Sequence, residues 1–354
     1  MAPSTLYLRP LGLCWGEDAR RAVAAGSAGR LAGLDIAFAE IEVIERDANR
    51  DARSLRRHAD LAASTDPAIA AALARIAAPR ADVAGFAMDR TLIMGIVNVT
   101  PDSFSDGGTY ADTTSAVEHG RSLAAAGAAI LDVGGESTRP YSEPVPVEEE
   151  RRRAIPVVAA LAESGYCVSA DSRKAAILEA AVAAGARMLN DVSALTYDAA
   201  SLDAAARSGL PIVLMHALSD PRTMQDDPRY RDVALDIYDY LAARLDVCEA
   251  HGIARDRLIA DPGIGFGKTH EHNMDLMRQI SLFHGLGVPL LIGASRKGFI
   301  GTLTGETVAG RRDAGSVGAA LVAAMQGAQI IRVHDVRASR HALDVWAGSF
   351  GLRY

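Results

Sequence analysis

The chain has 354 residues, and its 49% hydrophobic content is enough to bury a sizeable core in one large or two ordinary domains. Its net charge of −7 and pI near 5.7 argue against an extended nucleic-acid-binding surface. No apolar run approaches the roughly 20 residues that span a bilayer, and three dispersed cysteines form neither a disulfide framework nor a zinc pattern. We therefore expect a cytoplasmic protein with reduced thiols and no membrane or nucleic-acid partner.

The first 88 residues are predicted to form a small α+β extension. Leu6–Leu13 and Ile36–Ile44 are typical of strands, and Arg53–Ala78 of one or two Ala- and Arg-rich helices. The stretch Ser64–Pro67 predicts a break or a new helix start within that part. The segment shows no catalytic constellation, so we interpret it as a cap or as a packing or oligomer surface of unknown role.

Residues 89–354 are predicted to form a domain built from eight short apolar runs, each ending on polar or charged residues. Ala-rich stretches long enough for a helix lie between successive runs, a spacing typical of parallel βαβ units. The runs, each with the polar residue that follows it, are Leu92–Val97 with Asn98, Ala129–Leu131 with Asp132, Cys167–Ala170 with Asp171, Arg187–Leu189 with Asn190, Pro211–Met215 with His216, Leu258–Ala260 with Asp261, Pro289–Gly293 with Ser295, and Ile330–Ile331 with Arg332.

Eight such units in order predict an α/β fold of the TIM (β/α)8 barrel type. The domain is close to the roughly 250 residues that such a barrel needs, and the catalytic groups of that fold lie where its strands end. The eight polar strand ends therefore indicate the rim of an active site.

The loop after the first of these strands carries many oxygen-bearing side chains. The sequence MGIVNVTPDSFSDGG begins at residue 94 and includes Asn98, Asp106 and the paired glycines Gly107 and Gly108. Paired glycines permit a mobile loop that folds over a ligand. Oxygen ligands suit Mg²⁺, which keeps several waters and bridges to substrate phosphate. The alternative is an ordinary hydrophilic loop stabilised by Asx turns.

The loop after the second strand, LDVGGESTRPYSEP, offers donors to an anion. Thr138 and Arg139 stand beside Pro140, and an arginine on such a loop can bind a phosphate in bidentate fashion. The alternative is a solvated surface arginine.

Together these motifs resemble the dihydropteroate synthase family. The segments MGIVNVTPDSFSDGG, LDVGGESTRP, LND, LIADPGIGFGKT, SRKGFIG and RVHDV occur in that family's order over about residues 91–345. The resemblance implies a TIM barrel and a homodimer. It also implies a transferase that joins 4-aminobenzoate to 6-hydroxymethyl-7,8-dihydropterin diphosphate, with Mg²⁺ as the metal.

The resemblance also implies roles for individual residues. Asp171, Asn190, Asp261 and Lys297 would line the pterin pocket, and Arg139, Arg332 and His334 would bind the diphosphate with Asn98, which would also hold Mg²⁺. Thr138, Pro140, Phe266 and Ser295 would lie near 4-aminobenzoate. Asp171, Lys297 and Asp106 would be catalytic, with Asp106 brought in when the first loop orders.

Elementary chemistry supports the pterin assignment. The ring presents an N–C–N edge of donors, and one carboxylate can accept two of them in a fork, for which Asp261 beside the rigid Pro262 is the best candidate. Asn190 can donate and accept, and so can fix the orientation of the ring. Asp171 could stabilise a cationic pterin methylene, although a strand-end aspartate can equally be a helix N-cap.

Two segments depart from the family's usual pattern, and both lie beside the predicted site. They are ADSRKAAI (170–177), more often Asp-Thr-x-Lys, and HALSD (216–220), more often His-Met-x-Gly. The run GIGFGKT is not a nucleotide-binding P-loop, because that motif would need Gly at Pro262. His270 and His272, two residues apart, are interpreted as a helix start rather than a metal pair.

Two other functions remain open at this point. A pterin-binding methyltransferase barrel would share the Asp/Asn pocket but would not need the diphosphate motifs. A barrel kept as a pterin-binding scaffold would be expected to have lost a key charged residue, whereas the expected ones are present.

Overall fold

An antiparallel sheet precedes an eight-stranded parallel barrel in this chain. A computed structural model describes residues 5–48, 50–99, 109–139, 141–219 and 222–352. Among these residues, no helix is long and apolar enough to cross a membrane.

The extension is a four-stranded sheet with three helices. Strand β3 pairs antiparallel with each of the other three strands, and the Asp66 side chain caps the third helix by accepting from the Ala68 amide. The strands are β1 (Thr5–Trp15), β2 (Gly29–Arg30), β3 (Ile36–Arg46) and β4 (Asp51–Arg57), and the helices are α1 (Gly16–Ala24), α2 (His58–Ala62) and α3 (Pro67–Ala77).

Both strands and the helix break predicted in the extension are confirmed, but part of the predicted helix is wrong. Residues 53–57 belong to β4 and not to a helix. Arginine is a good helix former, but helix propensity is easily overridden by tertiary contacts, here the ladder to β3 and the ion pairs of the β4 arginines. Arg53, for example, contacts both Glu42 and Asp232. Helix α1 was not predicted.

All eight predicted barrel strands are present, and the (β/α)8 fold is confirmed. They pair in parallel in the order β10-β9-β8-β7-β6-β5-β12-β11, and a single bridge, Ala260 to Leu290, joins β10 to β11 and closes the ring. The strands are β5 (Leu92–Asn98), β6 (Ile130–Gly134), β7 (Val168–Asp171), β8 (Met188–Asp191), β9 (Ile212–Met215), β10 (Leu258–Asp261), β11 (Leu291–Ile292) and β12 (Ile330–Val333).

Helices follow the strands and cover the outside of the barrel. Their inner faces carry buried Ala, Leu and Val, which pack on the strands in one continuous core. The helices are α4 (Thr109–Ala125), α5 (Val147–Glu163), α6 (Ala175–Ala183), α7 (Ser201–Ser208), α8 (Val233–Ala250), α9 (His270–Arg278), α10 (Gly298–Thr304), α11 (Asp313–Met325) and α12 (Val336–Phe350).

A tight turn closes the floor of the barrel at the amino ends of the strands. Val83 and Phe86 exchange backbone hydrogen bonds of 2.9 Å, and Val83 and Met88 are buried against the first inward side chains of the strands. These residues belong to the predicted extension by position, yet they complete the packing of the barrel interior.

The extension packs directly on the outer helices of the barrel. The Tyr7 hydroxyl donates to Asp239 of α8 at 2.7 Å, and the Trp15 indole N–H donates to the carbonyl of Met325 in α11 at 2.9 Å. Buried side chains of β1 and β3 belong to the same hydrophobic cluster as those of the barrel helices. The two parts therefore share one core, which an independent appended domain would not need.

Candidate active site

Three polar residues and one glycine from four neighbouring strands form one layer at the carboxyl end of the barrel. The ladder pairs Asn98 with Gly134, Gly134 with Asp171, and Asp171 with Asn190. Paired residues of a sheet face the same side, so these side chains share the mouth. Gly134 leaves room for its neighbour, because a Cβ there would lie 3.3 Å from the Cβ of Asp171.

Arg332 lies at the centre of the deepest polar cluster. Its Nε donates to Asp132 and its Nη2 to Asp171, both at 2.6 Å, and the Asn190 amide donates to the same Asp132 oxygen at 3.0 Å. Asp132 is fully buried, whereas the Arg332 side chain is 22% exposed toward the mouth. The single positive charge of Arg332 is therefore shared by two buried carboxylates, Asp132 and Asp171.

Asp132 is the residue that the sequence marked as a strand end without giving it a role. One of its oxygens, Oδ1, is buried and has no hydrogen-bond partner among the described residues. Burial raises the pKa of Asp171, an effect that Arg332 opposes and Asp132 reinforces. The cluster thus carries more acceptors than its own donors satisfy, which suits a ligand edge rich in N–H groups.

Asp261 and Lys297 face this cluster from the other side of the barrel. Asp261 is buried, and its Oδ1 accepts from the Gly263 amide at 2.7 Å. Burial raises the pKa of Asp261, and Lys297 opposes that rise. Burial lowers the pKa of Lys297 to about 7, opposed by Asp261 and reinforced by Arg332. Lys297 can therefore change its charge when a ligand binds near neutral pH.

The loop after β10 carries an aromatic wall beside Lys297. The ammonium of Lys297 contacts the Ile264 carbonyl and lies 4.4 Å from the centre of the half-buried Phe266 ring. Gly263 shapes the turn, because its φ is +67° and a Cβ would lie 1.9 Å from the carbonyl oxygen of His216. Only glycine fits there without moving backbone.

The SRK segment after β11 brings Ser295 to His334. Ser295 Oγ lies 3.0 Å from His334 Nδ1 and accepts from the backbone N–H of His334 at 3.3 Å. Between Ser295 and Lys297, Arg296 adopts a left-handed φ of +60°, held by a two-point ion pair with Asp313 at 2.7 and 3.0 Å. This strained turn is fixed by its partners, as is usual at functional sites.

Burial, reinforced by nearby arginines, lowers the pKa of His334 to about 3, and this should make stability depend on pH. The unfolded chain binds a proton below about pH 6.5, whereas the folded protein resists it down to about 3. The contribution of His334 to the free energy of unfolding should therefore be fully present above pH 6.5 and be lost as the pH falls toward 3. Denaturant unfolding should show wild type losing about 1.4 kcal/mol per pH unit relative to His334→Asn within that window. Parallel curves would contradict the shift.

The remaining predicted residues occupy the rim. Asn98 and Thr138 are half-buried and Arg139 is exposed on the loop after β6. Arg139 also contributes to the lowered pKa of His334, so both belong to the same side of the mouth. Asp106 and Pro140 lie outside the described residues.

The segment 170–177, the first of the two that depart from the family's pattern, supports the loop after β6. Arg173 and Lys174 each lie 3.1 Å from Glu136, and Lys174 also pairs with Glu150 at 2.6 Å, all four side chains being buried. Glu136 in turn accepts from the Val145 amide at 2.9 Å. These residues fix the loop that carries Thr138 and Arg139.

The other segment that departs from the family's pattern begins at His216, a buried histidine that contacts a buried lysine. Lys268 Nζ lies 3.0 Å from His216 Nδ1 and donates to the Phe266 carbonyl at 2.8 Å. Burial lowers the pKa of both Lys268 and His216 well below their usual values, and Lys268 adds to the shift of His216. The sequence marked His216 only as one of the polar strand ends, and Lys268 was not predicted as part of the site.

The predicted helix start at His270–His272 is confirmed. His272 and Thr269 exchange hydrogen bonds of 3.2 Å in a capping box at the start of α9. Within the described residues, no group of three or more His, Cys, Asp and Glu side chains is arranged to hold a metal ion.

Comparison with known proteins gives a family match within the barrel. A family model described as "Pterin binding enzyme" matches residues 94–334. The dihydropteroate synthase of Escherichia coli (strain K12) is 46% identical over 254 residues, which cover 72% of this chain and 89% of that protein. The dihydropteroate synthase of Neisseria meningitidis serogroup C is 48% identical over 262 residues, covering 73% and 93%.

Solved structures agree with this likeness. Xanthomonas albilineans dihydropteroate synthase with 4-aminobenzoic acid has a TM-score of 0.72 and 48% identity, over 77% of this chain and 98% of that one. The same enzyme in complex with 7,8-dihydropteroate has a TM-score of 0.69 and 47% identity over the same shares. The Yersinia pestis enzyme in a sulfonamide drug complex has a TM-score of 0.71 and 43% identity, over 75% and 96%.

Proposed function

The chain belongs to the dihydropteroate synthase family of pterin-binding enzymes, and we propose that it joins 6-hydroxymethyl-7,8-dihydropterin diphosphate to 4-aminobenzoate. The products are 7,8-dihydropteroate and diphosphate, so the protein is a transferase of folate biosynthesis. The observation that carries this proposal is the buried acceptor cluster built from Asp132, Asp171, Asn190 and Asp261 around Arg332 and Lys297.

The pterin ring would occupy the space above this cluster. Asp261 keeps a second oxygen for the ligand while its first holds Gly263, and a ring edge with two N–H donors suits such a carboxylate. Asn190 is fixed by its bond to Asp132, and its amide oxygen can accept from the ring. These contacts explain why burying several carboxylates in one pocket is tolerated.

The diphosphate would lie at the rim, where Asn98, Arg139 and His334 meet. Arg139 is exposed and suited to two-point binding of phosphate oxygens. With its pKa lowered to about 3, His334 is neutral at pH 7 and would donate a hydrogen bond rather than a charge. Arg332 is already ion-paired with Asp132 and Asp171, so its electrostatic attraction for the diphosphate would be reduced.

The residues at the rim fit a magnesium ion that arrives with the substrate. Mg²⁺ keeps several waters and takes one or two protein ligands together with phosphate oxygens, and Asn98 offers a half-buried amide oxygen at the end of β5. When bound, the ion would neutralise charge on the leaving diphosphate. Asp106, which lies outside the described residues, stays a prediction from the sequence as a catalytic group.

The second substrate would lie between Phe266, Ser295 and Thr138. The ring of Phe266 offers an apolar face, and Lys297 beside it offers a positive charge to the carboxylate. Sulfonamides resemble 4-aminobenzoate, so we expect them to compete for this position.

The reaction is a displacement at the exocyclic carbon of the pterin. The carbon–oxygen bond to diphosphate breaks, and Arg139 and His334 stabilise the leaving oxygens. Positive charge then develops on the methylene, where the Asp171 carboxylate can stabilise it. The neutral amine of 4-aminobenzoate supplies the electron pair for the new carbon–nitrogen bond and releases its proton to water.

Incubation of the purified protein with the pterin diphosphate, 4-aminobenzoate and Mg²⁺ tests this proposal. Dihydropteroate and diphosphate should form in equal amounts, and omitting Mg²⁺ should slow the reaction. A folded protein that binds the pterin diphosphate but yields no product would favour a pterin-binding scaffold. Methyl transfer from a folate to a corrinoid acceptor would favour the methyltransferase alternative.

A homodimer through helices α11 and α12 is our proposal for the assembly. This surface exposes Val345 by 70%, Val322 by 44% and Phe350 by 40%. A groove of about 470 Å³ beside them has almost wholly apolar walls. An exposed apolar face of this kind is typical of an interface, and the same face of a second copy is its proposed partner. Sedimentation as a monomer at micromolar concentration would contradict it.

The three cysteines support a cytoplasmic location. Cys14, Cys167 and Cys248 are free thiols, and burial raises the pKa of each, to about 11 for Cys248. Free, unreactive thiols are typical of reducing compartments.

A further inference from the structure

The loop that carries Phe266 is held by its backbone carbonyls. Four side chains each contact one carbonyl, so that consecutive peptide groups of the loop are fixed. Three of these side chains come from outside the loop, and the fourth, Lys268, lies near its end. The pairs are Lys297 with Ile264, Gln225 with Gly265 at 2.7 Å, Lys268 with Phe266 at 2.8 Å, and Tyr230 with Gly267 at 2.8 Å. The position of the aromatic wall therefore depends on where these donors lie.

Two of the four donors come from the segment between β9 and α8. Gln225 and Tyr230 both lie in this segment, whose described residues form turns and bends and no helix or strand. The Tyr230 ring packs edge-on against His272 at 5.0 Å between ring centres. Burial raises the pKa of Tyr230, so its hydroxyl stays protonated and remains a donor.

The extension binds the end of that segment directly. Arg231, the residue after Tyr230, donates to the carbonyls of Asp47 and Ala48 at 2.8 and 3.2 Å and pairs with Asp51 at 2.8 Å. These partners lie between β3 and β4 or at the start of β4. A single guanidinium thus ties the segment to one turn of the extension.

A second set of contacts fixes the backbone at the same place. The backbone N–H of Arg231 donates to Asp236 at 2.8 Å, and Arg46 of the extension pairs with Asp236 at 2.5 Å. Arg53 of the extension pairs with Asp232, which also caps α8. Asp232 and Asp236, which follow Tyr230 in the chain, are therefore held by arginines of β3 and β4.

A cleft lies between the extension and this segment, and the positive charges on its walls are paired with carboxylates. It measures about 410 Å³ and has Arg9, Arg53, Arg231 and Arg278 on its walls. Each of these arginines is ion-paired to a carboxylate of the protein. The charges therefore serve to join the two parts, and no excess of positive charge is left to attract an anion.

The related enzymes manage without this contact. The family model matches from residue 94, and 98% of the Xanthomonas albilineans chain corresponds to only 77% of this one. The extension is thus an addition to a barrel whose chemistry exists without it, which is why a modulating role fits better than a catalytic one.

We propose that the extension is a positioning element for the 4-aminobenzoate subsite, acting through Arg231 and Tyr230 on the Phe266 loop. This inference rests on the proposed function, because it assumes that 4-aminobenzoate lies against Phe266. Tyr230 and Arg231 are positioning residues, since neither reaches the reacting atoms.

The test compares Tyr230→Phe and Arg231→Gln with wild type and with Arg21→Gln. Arg21 forms exposed ion pairs inside the extension and has no contact with the segment, so it is the matched control. Tyr230→Phe should raise KM for 4-aminobenzoate roughly two- to tenfold, the effect of losing one hydrogen bond. Arg231→Gln loses the contacts with Asp47, Ala48 and Asp51, and it should raise the same KM within that range because it acts on the loop through Tyr230. The KM for the pterin diphosphate should stay unchanged, and Arg21→Gln should behave as wild type.

The double variant shows whether the two residues act in one chain of contacts. If Arg231 acts through Tyr230, the double variant should raise KM by less than the product of the two single effects. Equal rises for both substrates, or a lower melting temperature with no change in KM, would reduce the extension to a structural role and overturn the inference. An inactive wild type would instead refute the proposed function.

Discussion

Replacing Arg332 with methionine is expected to destabilise the protein by roughly 3–5 kcal/mol and to abolish activity. The reason is that Asp132 is fully buried and Asp171 only 9% exposed, and both would lose the guanidinium that neutralises them. Methionine keeps much of the apolar volume of the arginine stem, so the loss reports charge rather than an empty space. Urea denaturation and the dihydropteroate assay would measure the two effects.

A matched control and a rescue separate charge from packing in this experiment. Arg207→Met removes an exposed ion pair with Glu179 and should change stability by at most about 1 kcal/mol. Adding Asp132→Asn and Asp171→Asn to Arg332→Met should recover stability but not activity, because the uncompensated charges are then removed. A triple variant no more stable than Arg332→Met alone would contradict this account.

Asp261→Asn is expected to weaken pterin binding by roughly 1.5–3 kcal/mol, about 10- to 150-fold in Kd. The amide keeps one oxygen to accept from the Gly263 N–H, so the turn should survive. It replaces the other acceptor by a donor, which faces the N–H edge of the pterin unfavourably. Calorimetric titration with a pterin ligand would measure the change.

The control for this substitution is the same chemical change far from the mouth. Asp66→Asn alters the cap of α3 in the extension, where asparagine caps nearly as well as aspartate. It should leave pterin affinity unchanged. Unchanged affinity in Asp261→Asn would remove that carboxylate from the pocket.

The barrel could be predicted from the sequence because local patterns determine it. An apolar run of four to seven residues that ends on Asp or Asn predicts both a buried strand and its open end, without knowledge of the partner strand. For that reason Asn98, Asp171, Asn190 and Asp261 were predicted, and all four lie at the carboxyl end of the barrel.

The pairing of Arg332 could not be predicted in this way. It contacts Asp132 and Asp171, which are 200 and 161 residues away, and only ring closure brings β12 beside β5. A family resemblance suggests a role for each residue separately. It does not show that Asp132 and Asp171 both bind the Arg332 guanidinium, which only the folded structure shows.

The extension was the least predictable part for a related reason. Residues 53–57 carry three arginines, and their strand pairing depends on an adjacent edge of β3 and on acidic partners far along the chain. Nothing in the sequence of the extension indicates which helices of the barrel it covers.

The single bridge between β10 and β11 links ligand binding to the folding equilibrium. The two strands with the sparsest pairing carry Asp261 at the end of one and Lys297 five residues beyond the other. A pterin held by both residues would span the join and add contacts that the sheet itself does not make there. Substrate would then raise the free energy of unfolding as its concentration exceeds Kd, and the saturated enzyme would keep its ring closed at temperatures where the free enzyme opens.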